Sequence, residues 1–163
     1  YNMPCTEEEY AKLVPGTKIK VTGYKTEWSG EVEIIDVESF EIQSGSYIAE
    51  AFDATSLLGT DDLIKRQNEF VSFKGMTVEA ADDSGAAFLY NWDGSGEDGS
   101  DLYFNVSLNG QTYSFVVESY LCDNTTEVYA AVKNLKVGDV VDMEGFLYWY
   151  NGANPHITSI TVK

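Results

Sequence analysis

From Leu102 to Leu108 the chain alternates without a break. Leu102, Phe104, Val106 and Leu108 share one parity, and Tyr103, Asn105 and Ser107 the other. A period of two describes a half-buried strand. The Asn109-Gly110 that follows is the strongest short hairpin signal, so Thr112 to Leu121 is predicted as the return strand. Upstream, Phe70 to Ala81 reads as another strand, with Val71 and Phe73, then Gly75, then Met76 and Val78. Ala87 to Trp92 is a short aromatic strand or an extension of it, and the Gly- and Asp-rich run Asp93 to Ser100 is a loop. Asn124 to Leu135 is predicted helical, capped by Thr125 or Thr126. Asp139 to Tyr150 is a long strand with Gly145 inside it. Asn151-Gly152 turns, and His156 to Val162 is the last strand.

The first part is patterned differently. Thr6-Glu7-Glu8-Glu9 is a capping box, with Tyr10, Leu13 and Val14 as a short apolar face and Pro15-Gly16 as the stop. Lys18 to Trp28 alternates, interrupted by Gly23 as a bulge or bend would be. Ser29-Gly30 turns, and Glu31 to Ile42 returns. Residues 44 to 69 form a connector in which Thr60-Asp61-Asp62 resembles a helix start. The boundary is expected near Asn68, giving units 1–68 and 69–163.

The two parts are related. Leu13 to Glu38 aligns with Leu135 to Ile160 without a gap. Leu13 meets Leu135, Gly16 meets Gly138, Gly23 meets Gly145, Gly30 meets Gly152 and Ile35 meets Ile157. Tyr24 meets Phe146 and Trp28 meets Tyr150. An internal repeat means a structural unit used twice. In the second unit the order is three strands, helix, two strands, and glycines inside the first and fourth strands let a five-stranded sheet close on itself. This resembles the OB-fold, a mainly β Greek-key barrel with short helices, over Phe70 to Lys163. The first unit matches only the helix and strands four and five of that pattern. Two strands cannot form a stable domain. Their completion is expected from the connector (Tyr47 to Phe52), from another chain in a strand-exchanged dimer, or by packing on the second unit. The motif from Gly138 to Gly152 also resembles tandem OB-fold modules of secreted or surface proteins of gut Firmicutes and Bacteroidetes, which implies an extracytoplasmic bacterial binding module.

Charge narrows the partners. Twenty-seven acidic residues against ten basic give a net charge of −17 over 163 residues. Such a field repels phosphate, so general affinity for nucleic acid or an anionic membrane is disfavoured. No apolar run is long enough to insert into a membrane. The chain opens Tyr1-Asn2-Met3, which reads as the end of a strand, and a piece of a larger polypeptide is expected. Cys5 and Cys122 are too few for a disulfide framework and are expected as free thiols.

Candidate chemistry is sparse. His156 is the single histidine, which leaves zinc without a ligand set. No nucleophile–base arrangement and no phosphate-cradling Gly loop with Lys stands out, so an enzyme is not expected. Asp93, Glu97, Asp98 and Asp101 offer hard oxygen ligands suited to calcium, although the EF-hand glycine and the closing glutamate are missing. No other cofactor is expected. If Phe146 and Tyr150 are core, as their aromatic counterparts in the other copy suggest, Leu147 and Trp149 point outward. An exposed Trp beside a Leu is a contact surface. Tyr148, Trp92, Tyr90 and Tyr103 extend it as an aromatic platform. The function expected is non-catalytic recognition of a protein or glycan through the barrel face. Single-stranded nucleic acid binding and a structural spacer are the alternatives.

Overall fold

The computed structural model describes residues 3–163; the strand end expected at Tyr1 and Asn2 lies outside them. The chain divides into two compact units, Tyr1–Glu50 and Ala51–Lys163.

In the first unit, the helix α1 (Glu7–Tyr10) starts with the expected box: Thr6 Oγ1 accepts from the amide of Glu9, whose carboxylate accepts from the amide of Thr6. Strands β1 (Thr17–Trp28) and β2 (Glu31–Ser46) form a two-stranded antiparallel ribbon. Its register breaks between Thr22 and Tyr24, opposite the stretch from Ile35 to Ser39. That stretch holds Asp36, at a positive φ of 47°. A Cβ on Gly23 would stand 2.7 Å from Ile34 Cγ2 and 2.8 Å from the carbonyl oxygen of Ile35, so the strands cross there at glycine contact.

The second unit begins with β3 (Phe52–Asp53) and two 3-10 turns, Thr55–Leu57 and Leu63–Arg66, the latter where a helix was expected. Then come β4 (Phe70–Glu79), β5 (Leu89–Tyr90), β6 (Leu102–Leu108), β7 (Gln111–Val117), the helix α2 (Glu127–Lys133), β8 (Val140–Trp149) and β9 (Ala153–Val162). Among the described residues the connector extends β2 as far as Ser46 but adds no third strand to the first unit. Its strand β3 pairs parallel with β4, and Ala54, Leu58 and Leu63 join the barrel core, so the unit division falls earlier than Asn68.

Strands β4, β8, β9, β7 and β6 are neighbours in that order, and β4 also pairs with β6, which closes a five-stranded barrel. The parallel contact of β7 with β9, with α2 between β7 and β8 in sequence, completes the OB-fold topology. Closure needs bends. On β4 the register shifts between Phe73 and Met76, around Gly75 at φ 66°, whose amide donates to Asp142 Oδ1 at 2.7 Å. On β8 a Cβ at position 145 would stand 2.1 Å from the His156 carbonyl oxygen and 2.7 Å from Ile157 Cα. The barrel interior is filled by Val71, Phe73, Met76, Val78, Leu102, Phe104, Val106, Phe115, Val117, Val141, Met143, Leu147 and Ile157. Val128, Tyr129 and Val132 of α2 belong to the same core. The Asn109-Gly110 turn carries φ of 52° and 80°, as a type I′ hairpin requires.

The clash at Gly145 is with the backbone of β9 and has no side chain to move. Gly145→Ala is expected to destabilise the barrel by about 3 kcal/mol or more, the range of severe overpacking. Urea denaturation followed by far-UV circular dichroism measures it. A midpoint equal to that of the unsubstituted chain would show that the strands can separate at this crossing.

Candidate binding cleft

Parity along β8 decides which side chains reach the barrel. Val141, Met143, Gly145 and Leu147 are all buried, so odd positions face inward. This inverts the orientation expected for this strand. Leu147 is 0% exposed and cannot meet a ligand, while Phe146 is exposed on the outer face with its ring 5.4 Å from that of Phe70. Tyr150 is also exposed. Trp149 is the last inward position and pairs with Ala153 across the hairpin. Its indole is half-buried and packs on the core from the barrel mouth.

Over that indole lies a cleft of about 450 Å³. β7 supplies Thr112, Tyr113 and Ser114; the hairpin supplies Gly152 and Ala153; the segment between the 3-10 turns supplies Gly59, Thr60 and Asp61, and the second turn Leu63. A second hollow of about 360 Å³ shares Tyr113 and runs along Asp53, Thr55, Ser56, Leu58, Asn109 and Gln111. The Tyr113 hydroxyl donates to Gln111 Oε1 at 2.8 Å. Gly59, at φ 77°, passes so close that a Cβ would meet Gln111 Oε1 at 2.8 Å and the Tyr113 hydroxyl at 3.0 Å. Neither hollow is lined by Lys or Arg. In the second, Asp53 is held below the usual carboxylate range by hydrogen bonds from the Thr55 hydroxyl and amide and by Lys74. The lining is one aromatic floor, several hydroxyls and two carboxylates.

The other expected site residues sit elsewhere. Tyr148 faces outward, half-buried, with its ring 4.6 Å from that of His156. Tyr90 and Tyr103 lie on β5 and β6, half-buried, and Tyr90 meets Phe88 edge-on at 5.3 Å. Burial first, then Asp101 and Glu118, raise the Tyr103 phenol above its ordinary pKa. Tyr103 pairs with Val116, whereas the cleft residue Thr112 pairs with Ser107. The two places are therefore on the order of 10 Å apart along β6, and no single platform forms. Trp92 is 75% exposed, one residue beyond Asn91, whose amide donates to the Asp101 carbonyl at 2.9 Å. The Thr112–Ser114 and Gly59–Asp61 walls were missed from sequence. The one signal was the unusually polar return strand Gln111-Thr112-Tyr113-Ser114.

The acidic loop is built from its own carboxylates. Asp93 Oδ1 accepts from the Ser95 amide at 3.1 Å, Asp98 binds Lys133 and Asn124, and Asp101 Oδ1 accepts from the Ser119 amide at 2.8 Å. The Tyr129 hydroxyl donates to the Ser100 carbonyl at 2.7 Å and accepts from the Gly99 amide at 2.8 Å, which pins the loop to α2. Lys133 and Asn124 hold Asp98 below the usual carboxylate range, the lysine hydrogen bond being the largest cause. Asp93, Glu97, Asp98 and Asp101 do not converge: among the described residues, no group of three or more His, Cys, Asp or Glu could hold a metal ion.

No protein family matches the sequence, and no curated protein matches it either. Among solved structures the chain is similar to the asparaginyl-tRNA synthetase of Pyrococcus horikoshii complexed with asparaginyl-adenylate, at 15% identity and a TM-score of 0.42. The likeness covers 60% of this chain and 20% of that one.

His156 is buried, and its burial pushes the imidazole pKa from 6.5 down to about 4, only partly offset by Asp101. Between those values the unfolded chain takes up a proton that the fold refuses. Stability is therefore full above pH 6.5 and is lost as the pH falls toward 4, by about 3 kcal/mol in all. Carboxylates such as Asp98 and Asp142, lowered from 3.8, act below that window. Denaturation midpoints from pH 7 to 4 should fall for the native chain and flatten for His156→Gln. Equal slopes would place the acid sensitivity elsewhere. In the same assay at pH 7, calcium and chelator are expected to give the same midpoint.

Proposed function

We propose that the barrel unit is a non-catalytic binding module and that its ligand is a glycan seated over Trp149. One observation carries this reading: a half-buried indole floors an open cleft whose walls present Thr60, Thr112 and Ser114 hydroxyls, the Tyr113 phenol and the Asp61 carboxylate. An apolar ring face on an indole, with its hydroxyls met at the edges by oxygen donors and acceptors, is the arrangement a sugar ring offers. The cleft volume lies within the roughly 300–1,000 Å³ common for small ligands. The walls are fixed by sheet and by hairpin, so little ordering is left to pay for on binding. The histidine supports a non-catalytic role, since an imidazole with a pKa of about 4 is poorly matched to proton transfer near neutral pH. In this reading the unit belongs to a secreted or surface bacterial protein, as the Gly138–Gly152 motif suggests and as the −17 charge suits.

Single-strand nucleic acid binding is the other work this topology supports. It would need a cationic track beside the aromatic residue, and both hollows lack lysine and arginine linings.

Titration calorimetry of the full chain against a panel of neutral and acidic oligosaccharides tests the proposal. Binding should weaken about 30-fold in Trp149→Ala, the loss of one interface hot spot. Because that indole also packs on the core, the Thr112→Ala/Ser114→Ala pair should weaken binding with the melting temperature unchanged. Trp92→Ala should leave it intact. Steeply salt-dependent binding to oligothymidylate, with no oligosaccharide bound, would replace this reading by the nucleic acid one.

A further inference from the structure

The two copies of the repeat share their strands but differ in what covers them. In the ribbon, Ile19 pairs with Ile42 and Val21 with Phe40, so these four side chains share one face. Ile19 is 42% and Ile42 37% exposed, and Val21 and Phe40 are half-buried. Their counterparts across the repeat, Val141 for Ile19 and Met143 for Val21, are 0% and 1% exposed. Both hairpins bend at a glycine, although the shift leaves two extra residues on β2 and one on β9. The equivalent glycines, Gly23 and Gly145, each sit at a register shift where a Cβ would strike the partner strand. In the barrel, β8 carries β4 along its outer edge, from Phe70 on Phe146 to Thr77 on Val140, and β9 meets β7. Among the described residues no third strand joins either β1 or β2.

We propose that the β1–β2 ribbon is an acceptor half-barrel whose partner is a polypeptide β-meander. The meander adds a strand antiparallel to the outer edge of β1 and lays alternate apolar side chains on Ile19, Val21, Phe40 and Ile42. This is strand addition, in which main-chain hydrogen bonds give affinity and the alternate side chains give selectivity. The partner strand is apolar with period two on its inner face, as Val71, Phe73, Met76 and Val78 are on β4. Its outward side chains are neutral or acidic, because Lys18 and Lys20, on the face opposite Ile19 and Val21, line the edge it joins. A second copy of this chain fits worse. Joining two β1 edges about a twofold axis sets the lysines of one against those of the other.

The test uses the full chain with a peptide of the sequence of residues 70–117, the meander that covers the counterpart strands, carrying Lys74→Gln so that its outward side chains are neutral or acidic. Amide exchange is read by mass spectrometry. With excess peptide, the amides of Lys18 to Gly23 should exchange about a hundredfold more slowly, as locally closed structure does, with barrel amides unchanged. Val21→Thr keeps the side-chain shape while adding a hydroxyl to the contact, and should lose most of that protection; circular dichroism of the variant checks that the ribbon is still formed. Unchanged exchange at Lys18 to Gly23 overturns the proposal. So does equal protection in a folded Val21→Thr variant. Light scattering that finds the chain alone dimeric, with these amides already protected, would give the face to a second copy and overturn it as well.

Discussion

Closure of the barrel rests on one close crossing of main chains. At Gly145 the strand β8 comes so near β9 that a single added carbon would overlap the carbonyl oxygen of His156. Only glycine permits that approach, and the register shift between Glu144 and Gly145 is its geometric trace. The bend lets β8 run along β4 on one edge and β9 on the other while Val141, Met143 and Leu147 keep facing the interior. Beyond the crossing β8 stays paired with β9 as far as Trp149 and Ala153, and the turn with Asn151 at φ 53° ends it. Five residues beyond Val140 the strand turns, and four beyond the turning point Trp149 arrives at the mouth as the last inward side chain. The cleft therefore takes its floor from the unbroken inward parity of the strand that closes the barrel.

Much of this was legible in local pattern. The alternation of Leu102, Phe104, Val106 and Leu108, the Asn109-Gly110 turn, the Thr6–Glu9 box and the repeat glycines each act over a few residues, and each is found where its chemistry places it. The inversion on β8 was legible too, but was misread. Val141 and Met143 set an inward parity that continues through Gly145 to Leu147 and Trp149, because the extra residue at the register shift falls on β9 and leaves β8 unbroken. Taking Phe146 as core, from its aromatic match to Tyr24, restarted the alternation in the wrong phase. Both of those rings are exposed. Shared aromatic character across a repeat reports a shared position on a strand, and either face of a strand accepts an aromatic ring.

The cleft was less legible for a different reason. Its walls come from β7, from the β8–β9 hairpin and from the residues around Gly59, which are far apart in sequence and individually unremarkable. Thr112 and Ser114 read only as the solvent side of a return strand until Gly59 is brought against Tyr113. The acidic loop shows the opposite error. Asp93, Asp98 and Asp101 have the spacing of cation ligands, yet each carboxylate is committed to a different local donor: an amide two residues on, a lysine of α2, an amide after β7. Short Asp side chains in Gly-rich loops serve backbone donors as readily as ions, and sequence spacing does not separate the two uses.

Comparing the repeat copies isolates what surrounding strands contribute to a core. Val141 and Ile19 occupy equivalent places on hairpins that both bend at a glycine, and the strands match in apolar content before the bend but diverge after it, where Lys25 and Glu27 stand for Leu147 and Trp149. One is sealed and the other almost half open. The difference follows from β4, which closes a side of the barrel and brings Val71, Phe73, Met76 and Val78 with it. A two-stranded ribbon can supply curvature and one apolar face, but an interior requires strands on both edges. Burial in this fold thus needs the closed ring of strands as well as the apolar pattern of the pair. Both are found in the second copy, which follows three strands of its own and keeps Leu147 and Trp149 inward where the first copy has Lys25 and Glu27.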